Sequence, residues 1–331
     1  MGRHNRTLGD PNAPISFYHC TSRIVDGQMA LGTEEAKGVF HSLMREYEKF
    51  CQVQVITYCI MDNHFHVLVG VPARPRELPD DAWLIGTLEE LYKDRKRELA
   101  DIRRRWELSE RKPGARKKLR KKYFRRMWNL GEYMKSLKQC FSCWYNRVNR
   151  RKGTLWESRY HSVLVEADSE AMAVVAAYID LNPVRAGIVA RPEEFGWSGY
   201  GEAMRGEREQ NQALAALMSP GNETFGNYRK FLYAEGVVEG RGEGVRGGIR
   251  PEEVERLWAS GGRLSLQELV RCRVRYLNAG GVLGTEAFVE GYFRRCRDEF
   301  GRRRKTGARE LRGVDAPRLR VCRDLRRQPI G

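Results

Sequence analysis

The chain is 331 residues long and carries 60 Lys and Arg against 43 Asp and Glu, a formal net charge of +17. An excess of that size points to a polyanionic partner, nucleic acid first, because each phosphate neutralised releases a condensed counterion. With no apolar run near 18 residues and no signal-peptide pattern after Met1, the sequence argues against a membrane partner and reads as soluble and cytoplasmic.

Residues 1–14, polar with Gly9, Pro11 and Pro14, read as a flexible arm. Ile15 to Ile24, with Phe17, Tyr18 and Cys20, reads as a first strand. Thr33 followed by Glu34 and Glu35 is a helix start, and Val39, Phe40, Leu43, Met44 and Tyr47 carry helical spacing to about Phe50. Gln52 to Ile60 reads as a second strand, and Asp62-Asn63 as the turn of an antiparallel hairpin. The next strand opens His64-Phe65-His66-Val67-Leu68-Val69 and ends at Gly70 and Pro72.

From Ala73 to about Gly131 the composition becomes charged and helical, over Leu88–Arg105 and Arg116–Met127. Glu89, Glu90, Glu98 and Glu107 make the first stretch a solvated face. No acid interrupts residues 116–126, so Arg116, Lys117, Lys118, Arg120, Lys121 and Lys122 are assigned to phosphate contacts. Tyr133 to Arg151 reads as a helix with a cationic last turn before Gly153. Ser162–Glu166 reads as a strand, and Asp168 or Ser169 as the cap of a helix carrying Met172, Val174, Val175, Tyr178 and Ile179. Leu181-Asn182-Pro183 disrupts that helix, since proline lacks a donor and clashes with the preceding turn. Arg191 to Tyr200 reads as a tail anchored by Trp197. Gly236–Gly248 reads as a linker, and Ser265–Leu277 and Thr285–Phe300 as helices. The order β-α-β-β-(helical insert)-α-β-α is a split βαβ pattern, a ferredoxin-like antiparallel sheet with helices on one face, in the α+β class.

Side chains alternate along a strand, so His64 and His66 share a face opposite Phe65 and Val67. Two imidazoles so placed form a preorganised ligand pair, and a solvated surface pair is the equal alternative from spacing alone. Cys140 and Cys143 are the single Cys-x-x-Cys among eight cysteines, with no histidine at finger spacing, so the thiols read as reduced core fillers rather than a zinc site. A metal on the histidines needs a third ligand and a reacting group. Tyr178 and Asn182 stand four apart on a helix and share a face. An Asn carbonyl suits Mg2+ or Mn2+, and a phenol can attack phosphate provided it loses its proton. Taken by themselves, Tyr178 reads first as a core aromatic and Asn182-Pro183 as a helix stop. Tyr58, Tyr145 and Tyr160 are rival tyrosines.

His64-Phe65-His66 after Met-x-Asn, Leu155-Trp156-Glu157-x-Arg159-Tyr160, and Tyr178-Ile179-x-Leu181-Asn182-Pro183-Val184-Arg185-Ala186-Gly187 together resemble the single-tyrosine HUH transposases. The last motif is closest in form to the REP-associated tyrosine transposases, a branch related to the small insertion-sequence transposases. The resemblance covers roughly residues 13–200. It implies a ferredoxin-like fold acting on single-stranded or hairpin DNA, with Tyr178 as nucleophile, a 5′-phosphotyrosine intermediate, and a divalent metal, Mg2+ or Mn2+, on His64, His66 and Asn182. Arg159 and Arg185 join the residues assigned to DNA. The family usually has Pro where this chain has Asp62, and Trp-Gln where it has Trp156-Glu157. The expected division is an arm (1–14), a transposase-like domain (15–204) with a basic helical insertion at about 75–130, a linker region (205–250) and a basic helical C-terminal extension (251–331). The protein is expected to be a monomer or homodimer. Two readings compete: a DNA-binding protein derived from such a transposase that no longer cleaves, and a metal hydrolase that uses water.

Overall fold

The computed structural model describes residues 7–167, 169–218, 224–236, 262–265, 268, 270, 275–279 and 281–323. Strand β1 (Ile15–Arg23) leads into helix α1 (Glu34–Cys51), where the Thr33 hydroxyl accepts from the Ala36 N–H at 3.1 Å as its acidic first turn foretells. Gln52 ends α1 in the left-handed region, φ 53°, and sends the chain into β2 (Gln54–Ile60). A tight turn at Asp62-Asn63, closed by the Met61 N–H donating to the His64 carbonyl at 2.9 Å, leads into β3 (His64–Pro72), which pairs antiparallel with β2.

The insertion is three helices: α2 (Asp81–Leu91), α3 (Lys96–Glu110) and α4 (Pro113–Phe124). Leu88–Arg105 is therefore not one helix. Helix α2 buries Leu84, Leu88 and Leu91 and α3 buries Trp106, and the chain turns between them through an Arg95 N–H to Tyr92 carbonyl bond of 2.9 Å. Helix α5 (Leu130–Val148), capped by Asn129, returns the chain to β4 (His161–Val165). Helix α6 (Ser169–Asp180) follows, and α7 (Asn182–Arg185) adds one turn past the break at Leu181. Of the two expected caps of α6, Asp168 lies outside the described residues.

The remaining chain differs from expectation. Residues 205–250 are not all linker: after α8 (Gly199–Met204) come α9 (Arg208–Ala215) and α10 (Phe225–Gly236), which bury Leu214, Tyr228 and Leu232. The glycine-rich run after Gly236 lies outside the described residues. The C-terminal region is not simply helical either. It contains β5 (Leu264–Ser265), α11 (Arg275–Ala279), β6 (Val282–Gly284), α12 (Glu286–Arg295), β7 (Arg309–Glu310), β8 (Val314–Asp315) and β9 (Arg320–Val321). Strands of two or three residues are too short to show an alternation in sequence. The expected Ser265–Leu277 helix falls largely outside the described residues. The arm is pinned over its described part: the Gly9 N–H donates to the Tyr18 hydroxyl at 2.7 Å, and Asp10 pairs with Arg295 at 3.0 Å.

The main sheet runs β2-β3-β1-β4-β6-β9-β7, antiparallel throughout except for the parallel pair β4–β6. The fold is α+β, and both faces of the sheet are covered rather than one. Phe65, Val67 and Val69 of β3 pack with Phe40 and Met44 of α1, Leu137 and Phe141 of α5, and the insertion. Leu68, Val163 and Val165 pack on the other side with α6 and with Tyr276 and Leu277 of α11. The reason is apolar alternation on both faces of β3 and β4: leaving Leu68 and Val163 in water would forfeit roughly 1.5–3 kcal/mol per side chain. No described helix is long and apolar enough to cross a membrane.

Candidate active site

The histidine face of β3 lies against α6. His64 and His66 project from one side of the strand, their ring centroids 5.2 Å apart at 79°. Tyr178 of α6 stands with its ring 6.0 Å from that of His66, nearly edge-on. Residues more than 100 positions apart in sequence thus converge, and Tyr178 is only 2% exposed. Tyr58, by contrast, is buried in the core on the other face, where Arg45 lies over its ring. Tyr145 and Tyr160 also pack against that second core.

A third histidine completes the cluster, and it was not among the candidates. His19 of β1 is 1% exposed, its ring lies 5.1 Å from that of His66 with the planes 23° apart, and it lies 6.0 Å from the Tyr178 ring. Its Nε2 is 2.9 Å from His66 Nδ1, and its Nδ1 is 2.7 Å from the Leu277 carbonyl of α11. Burial holds His19 far below the ordinary imidazole range, at about 4, against the opposing pull of the Leu277 carbonyl. The one trace of this in the sequence is phase: His19 shares the odd positions of β1 with Phe17 and Thr21, opposite Tyr18 and Cys20.

The surrounding residues hold the cluster in place. His64 Nδ1 lies 2.7 Å from Asn63 Oδ1, and Asn63 Nδ2 donates to the Gly27 carbonyl at 3.4 Å. Asp62 pairs with the buried Lys37 at 2.5 Å. Asn278 of α11 donates from Nδ2 to the Tyr178 hydroxyl at 2.8 Å. Arg185 lies 4.0 Å over the Tyr178 ring and donates to the carbonyls of Tyr178 and Val270, each at 2.7 Å. At the end of α6, Asp180 is fully buried. It accepts from the hydroxyls of Thr57 at 2.7 Å and Tyr228 at 2.6 Å, and burial pushes its carboxyl up to about 7.

Asn182 opens the turn after the break, so it and Tyr178 do not share one uninterrupted helix. No described contact joins its side chain to the histidines. Among the described residues, no group of three or more His, Cys, Asp or Glu side chains is arranged to hold a metal. The fit to a divalent cation is therefore that of a two-nitrogen pair, His64 and His66, needing oxygen donors from Asn182 or from a substrate phosphate.

The basic residues divide. Arg116 pairs with Asp81 and Glu110, each at 3.1 Å, and lies over Trp106; Arg120 pairs with Asp81 and donates to the Pro79 carbonyl. Lys117, Lys118, Lys121, Lys122 and Arg159 are exposed. Helix α4 belongs to the layer opposite the histidines, because its Tyr123 and Phe124 join the α1–α5 core. Trp156 is a core residue: its indole N–H is shared between the Lys138 carbonyl at 3.0 Å and the Ser142 hydroxyl at 2.8 Å.

No family model matches the chain, and no curated protein does. Among solved structures it is similar to a REP-associated tyrosine transposase bound to a REP hairpin, at 12% identity and a TM-score of 0.38. That similarity covers 62% of this chain and 87% of the other. It is a distant likeness.

Proposed function

We propose that the chain is a metal-dependent strand transferase for single-stranded or hairpin DNA, with Tyr178 as nucleophile. The observation that carries this reading is the convergence of Tyr178 with His66, which lies beside His64, residues that two of its three motifs single out. The strand order β2-β3-β1-β4 with α1 and α5 on one face supports this reading, being consistent with the split βαβ core expected from the sequence.

In the reaction, Tyr178 Oη attacks phosphorus. The new O–P bond forms as the bond from phosphorus to the 3′ oxygen breaks, leaving a 5′-phosphotyrosine and a 3′-OH. The phenolic proton passes to solvent, and the departing oxygen takes up another. Attack by a 3′-OH on the phosphotyrosine reverses the exchange, with the phosphodiester energy retained. Mg2+ or Mn2+ held by His64 and His66, with Asn182, would supply Lewis-acid polarisation of the phosphate. The Asn278 N–H donor and the Arg185 guanidinium favour the negative charge that builds on the phenolic oxygen. Exposed lysines of α4 would hold the backbone of a longer substrate.

One observation favours a second reading, a DNA-binding protein that does not cleave: the tyrosine is buried beneath α11, so this segment must move before a phosphate can reach it. A covalent-adduct assay separates the two. Labelled hairpin and single-stranded DNA pools are mixed with protein and Mn2+ or Mg2+ and resolved on denaturing gels. Strand transfer requires a metal-dependent adduct that Tyr178→Phe and His64→Ala both lose. Cleavage persisting in Tyr178→Phe would make water the nucleophile, and binding without any adduct would establish the second reading.

A further inference from the structure

We propose that His19 and the Leu277 carbonyl form a hydrogen-bond relay that holds His66 as its Nδ1–H tautomer, making His19 a positioning residue for the metal pair. Its metal role rests on the function proposed above; the tautomer follows from the hydrogen-bond geometry together with the burial of His19. The relay begins at an atom whose role is unambiguous. A carbonyl oxygen only accepts, so at 2.7 Å His19 Nδ1 carries the proton and donates to Leu277. His19 is buried on the sheet's apolar side, where a neutral ring is favoured. A neutral ring protonated at Nδ1 has its lone pair at Nε2, and that atom faces His66 Nδ1 at 2.9 Å. His66 must then be the donor, with its proton on Nδ1 and its lone pair on Nε2.

His64 reaches the same state by a separate route. Asn63 Nδ2 faces the Gly27 carbonyl, which fixes the orientation of the amide and leaves Oδ1 toward His64 Nδ1. The His64 proton therefore also sits on Nδ1. Both strand histidines then carry the basic lone pair on Nε2, the nitrogen each would offer to a cation. An isolated neutral imidazole side chain prefers its proton on Nε2, so the relay opposes the ring's own preference. Metal-ligating histidines characteristically donate their second N–H to such a partner. Here the partner is another histidine, itself oriented by a carbonyl from the C-terminal region. That region lies outside the three motifs, yet through α11 it reaches both halves of the site: Leu277 holds the histidines and the next residue, Asn278, holds Tyr178.

The test uses the full chain with 15N-labelled histidine. Long-range imidazole 1H–15N spectra of the metal-free protein near neutral pH are expected to show His66 protonated at Nδ1 and unprotonated at Nε2. His19→Phe removes the acceptor and should lose that pattern. His19→Gln keeps an oxygen for His66 and an N–H for Leu277, and should preserve it. Mn2+ titration followed by electron paramagnetic resonance should show affinity falling about 10–100-fold in His19→Phe and recovering in His19→Gln. A wild-type His66 protonated at Nε2, or a His19→Phe variant with unchanged tautomer and Mn2+ affinity, would overturn the proposal. If wild type shows the Nδ1–H form and binds no Mn2+, the relay stands as a structural feature, and both its metal role and the metal reading of the function are overturned.

Discussion

The side-chain amide of Asn278 donates to the phenolic oxygen of Tyr178 at 2.8 Å, tying the C-terminal region to the proposed nucleophile. The contact is both a support and a cover. As a support, it stabilises charge on the oxygen. Asn278→Ala is then expected to slow adduct formation by about 10- to 150-fold, one hydrogen bond to a developing charge being worth roughly 1.5–3 kcal/mol. Asn278→Asp, which replaces the donor with a negative acceptor, should slow it further. Adduct formation timed on denaturing gels checks both, and faster adduct formation in Asn278→Ala would show that the cover dominates.

Asp180 ties the end of α6 to β2 and α10 through two buried hydroxyl donors, Thr57 and Tyr228. Asp180→Ala leaves both without their acceptor and should cost about 2–4 kcal/mol in urea unfolding. Burial raises its folded-state pKa to about 7, whereas an unfolded aspartate titrates near 4, roughly its unperturbed value. The folded state thus binds the proton more tightly. Its contribution to stability is present below about pH 4 and is lost as pH rises through about 7. Asp180→Asn, which cannot ionise, should gain stability relative to wild type over that interval.

Glu202 behaves in the opposite sense. Burial alone would raise its pKa, but His41, at 3.1 Å, and Arg45 more than offset this and bring it down to about 2. With an unfolded value of roughly 4.3, its stabilisation is present above that pH and is lost as pH falls through about 2. Glu202→Gln should be clearly less stable than wild type at neutral pH, and the difference should shrink in acid unfolding curves. A difference that is constant with pH would refute the assignment.

Helix α4 separates charge that is available to a ligand from charge already paired within the fold. Replacing Lys117, Lys118, Lys121 and Lys122 with Gln should reduce the salt dependence of single-stranded DNA binding by up to about 0.7 for each phosphate no longer neutralised. Arg120→Gln breaks the pairing with Asp81 and the bond to the Pro79 carbonyl. It should leave the salt slope unchanged and lower stability by about 1 kcal/mol or less. Fluorescence anisotropy over a salt series measures the slopes.

Local signals in the sequence determined the hairpin that carries His64 and His66, the Thr33 cap of α1, the face shared by the two histidines, and the break after Tyr178. These depend on strand alternation, capping chemistry and proline, which act over a few residues. Only the tertiary structure decided that Tyr178 meets His66, that His19 joins them, and that Leu277 and Asn278 hold the cluster from the other end of the chain. It also decided which arginines are paired within the fold and that α4 lies on the opposite layer. The physical reason is that such contacts depend on strand order and on which apolar face needs covering. Neither the three-residue strand β6 nor a lone histidine at an odd position of β1 leaves a periodic signal from which that pairing can be read.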